Sequence, residues 1–419
     1  MKFVKKIIKI LGPGFITGAS DDDPSGIATY SQTGALFGFS QLWTAPFSFP
    51  LMVAAQEMCG RIGLVTGRGL AGVIRQYYTK KVLYGAVLLL FVANTINIGA
   101  DLGAMAASLQ LILGLPFWML LISIAVITLC LEVFISYKTY AQYLKYLTFA
   151  LFSYFFVVLT IHINWKEVFS STVFPTVQFT KDYLLNIVAI LGTTISPYLF
   201  FWQASEEVEE EVAHHKLRQM GAGQPKVTPK DISRLRMDTI IGMFFSNLVM
   251  WFIIIATGAT LFTQGIKTIQ TASDAALALR PIASDFAFLL FALGIIGTGF
   301  LAVPILAGSA SYAVSEAFGW KAGLYRTPKT APQFYLVIVI ATVIGITINF
   351  IGISPFSALY YTAVLNGIVA PPLLFIILII ANNKEIMGNR VNNRLLNIIG
   401  IVTIIIMAIS AIGLLLTFL

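Results

Sequence analysis

Charge is scarce in this chain. Its 27 basic and 19 acidic residues amount to 11% of 419 positions, less than half of the roughly 25% that soluble domains carry. That scarcity excludes a water-soluble globular protein. Cysteine is almost missing as well. Cys59 and Cys130 both fall in apolar runs, which excludes a disulfide framework. Histidine is limited to His162, His214 and His215. None is placed in the interior of an apolar span, His162 standing at the very end of one, so no imidazole is expected to carry protons within the membrane. Apolar surface, by contrast, is abundant: 58% of residues are hydrophobic and the mean hydropathy is +0.85. The composition is that of an all-α polytopic membrane protein.

A helix needs about 20 apolar residues to cross the hydrocarbon core, and that ruler divides the chain into about eleven spans. They lie near 11–37, 42–60, 82–113, 116–137, 146–163, 183–204, 238–262, 284–308, 334–353, 356–381 and 395–418. The basic residues orient them. With the N-terminus cytoplasmic, roughly 23 of the 27 Lys and Arg fall in inside loops, as the positive-inside rule requires. Only Lys166, Lys181, Lys267 and Arg280 fall outside. An odd number of spans then puts the C-terminus outside a cell membrane. The net charge of +8 therefore reports topology. The expected partner is the lipid bilayer, and no nucleic acid is implied. Met1 to Ile10 holds four lysines and no small-residue cleavage site, so it reads as an uncleaved cytoplasmic start.

Two spans carry polar interruptions. In the first, Asp21, Asp22 and Asp23 run into Pro24, Ser25 and Gly26. Each carboxylate costs several kcal/mol in lipid unless it is neutralised, hydrated or paired. Pro24 removes a backbone donor and Gly26 relaxes the chain, so the helix must break beside the acids. A break at mid-membrane frees carbonyls that can hold a cation. The competing reading is an acidic N-cap in a turn. In the sixth span, Thr193, Thr194, Ile195, Ser196 and Pro197 interrupt the run in the same way. Breaks five spans apart predict two five-helix halves in one transmembrane domain over 1–419, related by an inverted repeat. The halves cover about 11–163 and 183–381, with an extra helix near 395–418.

Other polar groups are sparse. Asn94, Asn97 and Asp101 share one helical face, and such a stripe faces the bundle or water. It reads equally as a pathway lining or a structural hydrogen-bond stripe. Glu206, Glu207, Glu209, Glu210 and Glu211 read first as a solvated amphipathic loop that balances downstream bases. The alternative is an acidic vestibule at Glu206 and Glu207 that collects cations. Glu57 and Arg61, at i and i+4, are expected to pair. Glu132 is expected to snorkel or pair near the membrane surface.

The stretches Gly12-Pro13-Gly14-Phe15, Asp23-Pro24-Ser25-Gly26, Ala28-Thr29 and Gly63-Leu64-Val65-Thr66-Gly67-Arg68 resemble the Nramp family of divalent metal transporters. Asp101-Leu102, Ser196-Pro197-Tyr198 and Glu316-Ala317-Phe318 extend the resemblance over nearly the whole chain. It implies a LeuT-like inverted-repeat fold of eleven or twelve spans with helices one and six broken. It also implies a metal site at Asp23, with Gly26 where the family has Asn, the Thr193 carbonyl, and Ser196 where the family has Met. Tyr198 and Gln203 stand at two family histidines, and Ala104 stands where an acid follows Asp101. With Asn97, they are the substrate-pathway candidates Asp101, Asn97, Tyr198 and Gln203. Asp22 is expected to reach the ion through water and Asp21 not, because helical neighbours lie about 100° apart.

These departures have consequences. Losing a thioether leaves hard oxygen ligands, which do not favour transition metals. Losing the Asn should widen the site for an ion that keeps its water, as magnesium does. Losing imidazoles and one acid removes proton carriers. The pattern resembles the Nramp-related magnesium transporter branch. The expectation is an alternating-access carrier of hard divalent cations, Mg2+ first and Mn2+ second, uncoupled from protons. The metal is substrate, and no resident cofactor is implied. The alternatives are a proton-coupled Mn2+/Fe2+ transporter and a non-transporting cation-binding homologue. A sodium-coupled amino-acid carrier would present a helix N-terminus to a carboxylate that three acids repel. An enzyme is not expected: an intramembrane prenyltransferase needs two Asp-rich motifs, and this chain has one.

Overall fold

The computed structural model describes residues 12–135, 152–280 and 287–416. The N-terminal lysines, Lys138 and Lys145, the beginnings of the fifth and eighth spans and the last residues of the eleventh lie outside the described residues. The rest is nearly all helical: α1 (Pro13–Asp21), α2 (Pro24–Phe37), α3 (Thr44–Thr66), α4 (Leu70–Tyr77), α5 (Lys80–Leu113), α6 (Phe117–Phe134), α7 (Phe152–Thr160), α8 (Trp165–Val173), α9 (Lys181–Thr194), α10 (Pro197–Ala213), α11 (Pro229–Thr257), α12 (Ala287–Phe318), α13 (Pro332–Thr347), α14 (Pro355–Asn382) and α15 (Arg394–Leu416). Among the described residues, eight helical stretches are long and apolar enough to cross a membrane, with α9 and α10 counted as one. The other three expected spans are the broken pair α1/α2, the polar-containing α3, and the stretch that holds α7.

Both breaks form where proline dictates. Pro24 opens α2 and Pro197 opens α10, the first helical position, where a missing N–H costs no intrahelical bond. The residue before each proline is pushed out of the helical region: Asp23 has ψ 172° and Ser196 has ψ 135°. The α9/α10 stretch is the most enclosed of the spans, whereas α15 is mostly exposed and turns Leu395, Ile409 and Ile412 outward. α2 packs along α11, and α10 packs along α3, the reciprocal pairing that an inverted repeat gives.

α1 reaches α11 through glycine. A Cβ at Gly18 would lie 2.3 Å from the Gly242 carbonyl, and one at Gly14 would lie 2.7 Å from the Thr239 nitrogen. Backbones approach this closely only where small residues allow it. Gly18→Val is therefore expected to force α1 off α11, costing more than about 3 kcal/mol. A lower melting temperature in detergent checks this, and an unchanged one refutes it.

Two polar expectations are corrected. Glu57 does not pair with Arg61. It takes two bonds from Arg236 of α11, at 2.9 and 3.2 Å. Arg61 instead donates to the Asn392 side chain and to the carbonyls of Arg390 and Val391. Tertiary partners outcompete the i, i+4 neighbour because they satisfy several donors at once. Glu132 is buried with both carboxylate oxygens unpartnered among the described residues, so it neither snorkels nor pairs there.

Candidate functional site

The two helix breaks face each other, and Asp23 sits at the junction. It serves as the N-cap of α2. Its Oδ1 accepts the Gly26 N–H at 2.7 Å and the Ser25 hydroxyl at 2.6 Å. Its Oδ2 accepts the Asn97 amide of α5 at 3.2 Å. Asn97 is itself steered by Thr362 of α14, whose hydroxyl donates to its Oδ1 at 3.0 Å. The capping and cation-site readings of Asp23 are thus compatible: one carboxylate does both. From the facing break, the Thr193 hydroxyl comes within 3.5 Å of the Ser25 hydroxyl. α2, α5, α9 and α14 therefore meet at one buried carboxylate surrounded by neutral oxygens and amides.

The three aspartates do not converge. Among the described residues, no group of three or more Asp, Glu, His or Cys side chains is placed to hold a metal. Asp21 accepts the Ser246 hydroxyl of α11 at 2.6 Å, and Asp22 lies 3.4 Å from the same hydroxyl. Asp22 thus shares a hydroxyl neighbour on α11 with Asp21. The cause is local: α1 ends at Asp21, and Asp22 adopts φ −87°, ψ 48°, so helical spacing no longer sets its direction. Asp101 is fully buried one turn beyond Asn97, and neither of its oxygens has a hydrogen-bond partner among the described residues. Asn94 on the same face donates to the Leu306 carbonyl of α12, so the polar stripe faces the bundle.

The family model described as "Natural resistance-associated macrophage protein-like" (Nramp) matches residues 14–417. The chain belongs to the Nramp family. Two relatives bear the name "Divalent metal cation transporter MntH". The one from Clostridium acetobutylicum is 26% identical over 99% of this chain and 92% of its own. The one from Caldanaerobacter subterraneus is 24% identical over 95% and 90%. Among solved structures, an Eremococcus coleocola manganese transporter superposes with a TM-score of 0.75 at 17% identity, covering 99% of this chain and 87% of its own. Mhp1, a nucleobase-cation-symport-1 family transporter, reaches 0.58 at 12% identity, covering 96% and 92%. The fold is therefore the LeuT-like one.

The Nramp positions that depart from the family motif are all found in the core. Gly26 does not open space. A Cβ there would lie 3.1 Å from the Asp21 carbonyl and 3.3 Å from the Thr193 hydroxyl. The expected widening is replaced by close packing of α2 on both neighbours. The Ser196 hydroxyl donates back to the Gly192 and Thr193 carbonyls at 2.7 and 2.8 Å, so the Thr193 carbonyl, expected on the metal, already accepts a bond. Tyr198 donates to the Ser20 carbonyl at 2.7 Å and so braces α10 against the end of α1. Gln203 accepts from Thr17 at 2.5 Å and donates to Glu207 at 2.9 Å. Ala104 is fully buried and carries nothing that titrates.

The glutamate run is not a solvated loop. It belongs to α10, and Glu206, Glu207, Glu209 and Glu211 are buried. Glu207 lines a cavity of about 160 Å3 together with Glu210, Glu211, Asp231, Asp238 and Lys216. Glu206 does not line it, which corrects half of the vestibule expectation. Neighbours at positions 206 and 207 project to different sides of the helix. At the N-terminal end of α1, Asp238 accepts the Gly12 and Gly14 N–H groups at 2.9 and 2.8 Å. Ser25, Thr362 and Ser246 had no assigned role in the sequence. Ser25 alone was findable there, as the hydroxyl two residues beyond a capping Asp.

Proposed function

We propose that this chain is an alternating-access transporter of divalent metal cations, with Mg2+ preferred and Mn2+ second, moved without obligatory proton transfer. One observation carries the reading. Asp23, the carboxylate that caps α2 opposite the second break, is bonded by hydroxyl, amide and backbone groups, with neither thioether nor imidazole among these contacts. Hard oxygen donors give no advantage to a soft transition metal. A single carboxylate also cannot replace the hydration shell of a divalent ion, so the ion that fits keeps several waters, as Mg2+ does. The relatives named as divalent metal cation transporters and the structural neighbour named as a manganese transporter support the transport of divalent metal. The finer preference rests on the donor set. α1 is held along its length, by Asp238 at its N-terminal end, by Thr17–Gln203 at mid-helix and by Ser20–Tyr198 beside the break. Release of these contacts would let α1 swing and expose Asp23 to the vestibule at Glu207.

A second reading, a proton-coupled Mn2+/Fe2+ carrier, is favoured by Asp101, a buried acid with unpartnered oxygens close to the site. Flux into proteoliposomes separates the two. Mg2+ uptake that Mn2+ competes with is the expected result. Mn2+ uptake that a large excess of Mg2+ leaves unchanged overturns the preference.

Selectivity makes a further prediction. Ser196→Met would place a soft sulfur at the second break and is expected to raise Cd2+ affinity about tenfold, or about 1.4 kcal/mol. Calorimetry checks it. No gain in Cd2+ binding means that position 196 does not present its side chain to the ion.

A further inference from the structure

Four cations from two loops and a short helix converge on one cavity, on the face that the charge asymmetry assigns to the cytoplasm. The cavity measures about 270 Å3, and Arg68, Arg75, Lys321, Arg326 and Trp320 are among its lining residues. Arg68 follows α3, Arg75 lies in α4, and Lys321 and Arg326 follow α12. Glu316 is the opposing charge in the lining, and its carboxylate already accepts the Gly69 and Gly72 N–H groups at 2.7 and 2.9 Å. Glu209 stands behind Arg326, but its Oε1 accepts the Tyr312 hydroxyl and the Leu324 N–H.

The cations themselves are little used. Among the described residues, the Arg68 guanidinium and the Lys321 ammonium make neither a hydrogen bond nor an ion pair. Arg75 has one long bond, 3.4 Å, to the Glu316 carbonyl. Arg326 donates to Gln219 at 3.0 Å and to the Ala322 carbonyl at 3.2 Å. Gly319, at φ 71°, keeps the place of Arg75, because a Cβ there would lie 2.1 Å from its Nη1. Clustered cations with open donors around a cavity of this size are a site for an anion.

A second observation says which anion. An adjoining cavity of about 250 Å3 shares Arg75 and adds Lys80, Leu83, Tyr84 and Phe318. Phe318 stacks on Trp320 at 5.0 Å and meets Tyr84 at 5.8 Å. All three rings are exposed, as are Leu88 and Leu89 further along α5. Exposed aromatics grading into an exposed aliphatic helix face mark the membrane–water boundary. The anion site therefore opens at headgroup level onto a path that suits an acyl chain. We propose that this cavity binds the phosphate of an anionic phospholipid, with its chain along Tyr84 and Phe318. Basic pockets on the cytoplasmic side serve such headgroups. The Gln219–Gly221 segment after α10 also lines the cavity, so a bound lipid would tie the loop after the broken helix to α4 and α12.

Native mass spectrometry of the full chain, with phosphatidylglycerol or phosphatidylcholine of matched chains, tests this. Phosphatidylglycerol should be retained preferentially, and Lys321→Gln should lower its retention about fivefold, the effect of one interfacial cation. Arg75→Gln should do the same. If it fails to fold, Lys321→Gln carries the test, because that side chain is exposed and unbonded. Equal retention of the two lipids, or equal phosphatidylglycerol retention by wild type and Lys321→Gln, overturns the proposal. A third arm adds pyrophosphate in lipid-free detergent. If pyrophosphate raises the melting temperature of wild type but not of Lys321→Gln, and lipid retention shows no preference, the cavity takes a soluble phosphate and the lipid assignment falls.

Discussion

Asp23→Asn is expected to leave the fold in place and to weaken divalent-ion binding by roughly a hundredfold, or about 2.8 kcal/mol. Asparagine caps a helix as well as aspartate does. The Gly26 N–H can still find a side-chain oxygen at position 23, so α2 keeps its start. What disappears is the carboxylate charge that caps α2 at the facing breaks, and with it the attraction that offsets partial dehydration of the ion. Asp23→Ala removes charge and cap together. It should add about 1 kcal/mol of destabilisation, which separates the two roles of the side chain. Asp21→Asn is the internal control. Its carboxylate faces Ser246 on α11, so its effect on affinity should be much smaller. Calorimetry and flux with Mg2+ and Mn2+ provide the readout. Undiminished flux of every divalent ion in Asp23→Asn would place the site elsewhere.

The contrast between Asp23 and its two neighbours shows where sequence reading stops. The breaks at Pro24 and Pro197 were legible because proline acts locally: it removes a donor and restrains the residue before it. The spans were legible because a membrane imposes length and apolarity on each helix separately. The directions of Asp21 and Asp22 were not legible. They depend on Ser246, more than two hundred residues away on α11. The same holds for Thr362, which orients Asn97 from α14, and for Asp238, which caps α1 from α11. The glutamate run misled for a related reason. Five acids in six positions look solvated until their partners are known. Here Glu207 leans on Gln203, Glu209 on Tyr312 and the Leu324 N–H, and Glu211 on Lys216. Burial of a carboxylate is decided by donors that no local pattern announces.

Divalent uptake is expected to proceed without acidifying the vesicle interior. A coupled carrier needs ionisable groups that lead away from the metal. Along α10 the first two candidates are Tyr198 and Gln203. The Tyr198 hydroxyl proton is held by the Ser20 carbonyl, and a phenol with a reference pKa of about 10 is a poor relay at neutral pH. Gln203 bridges Thr17 and Glu207 but does not titrate. Along α5, Asp101 is present, but Ala104 follows where a second acid would receive its proton. Glu207 does reach the vestibule, yet it is separated from Asp23 by the Gln203 amide and the Tyr198 brace. Asp101 therefore has no ionisable successor on its own helix, and neither Tyr198 nor Gln203 is expected to pass a proton from Asp23 towards Glu207. Uptake should then follow the ion gradient and membrane potential alone, with the internal pH trace flat during Mg2+ or Mn2+ entry. Metal-dependent acidification that disappears in Asp101→Asn would show that Asp101 passes protons through water despite Ala104, and would move this chain to the proton-coupled reading.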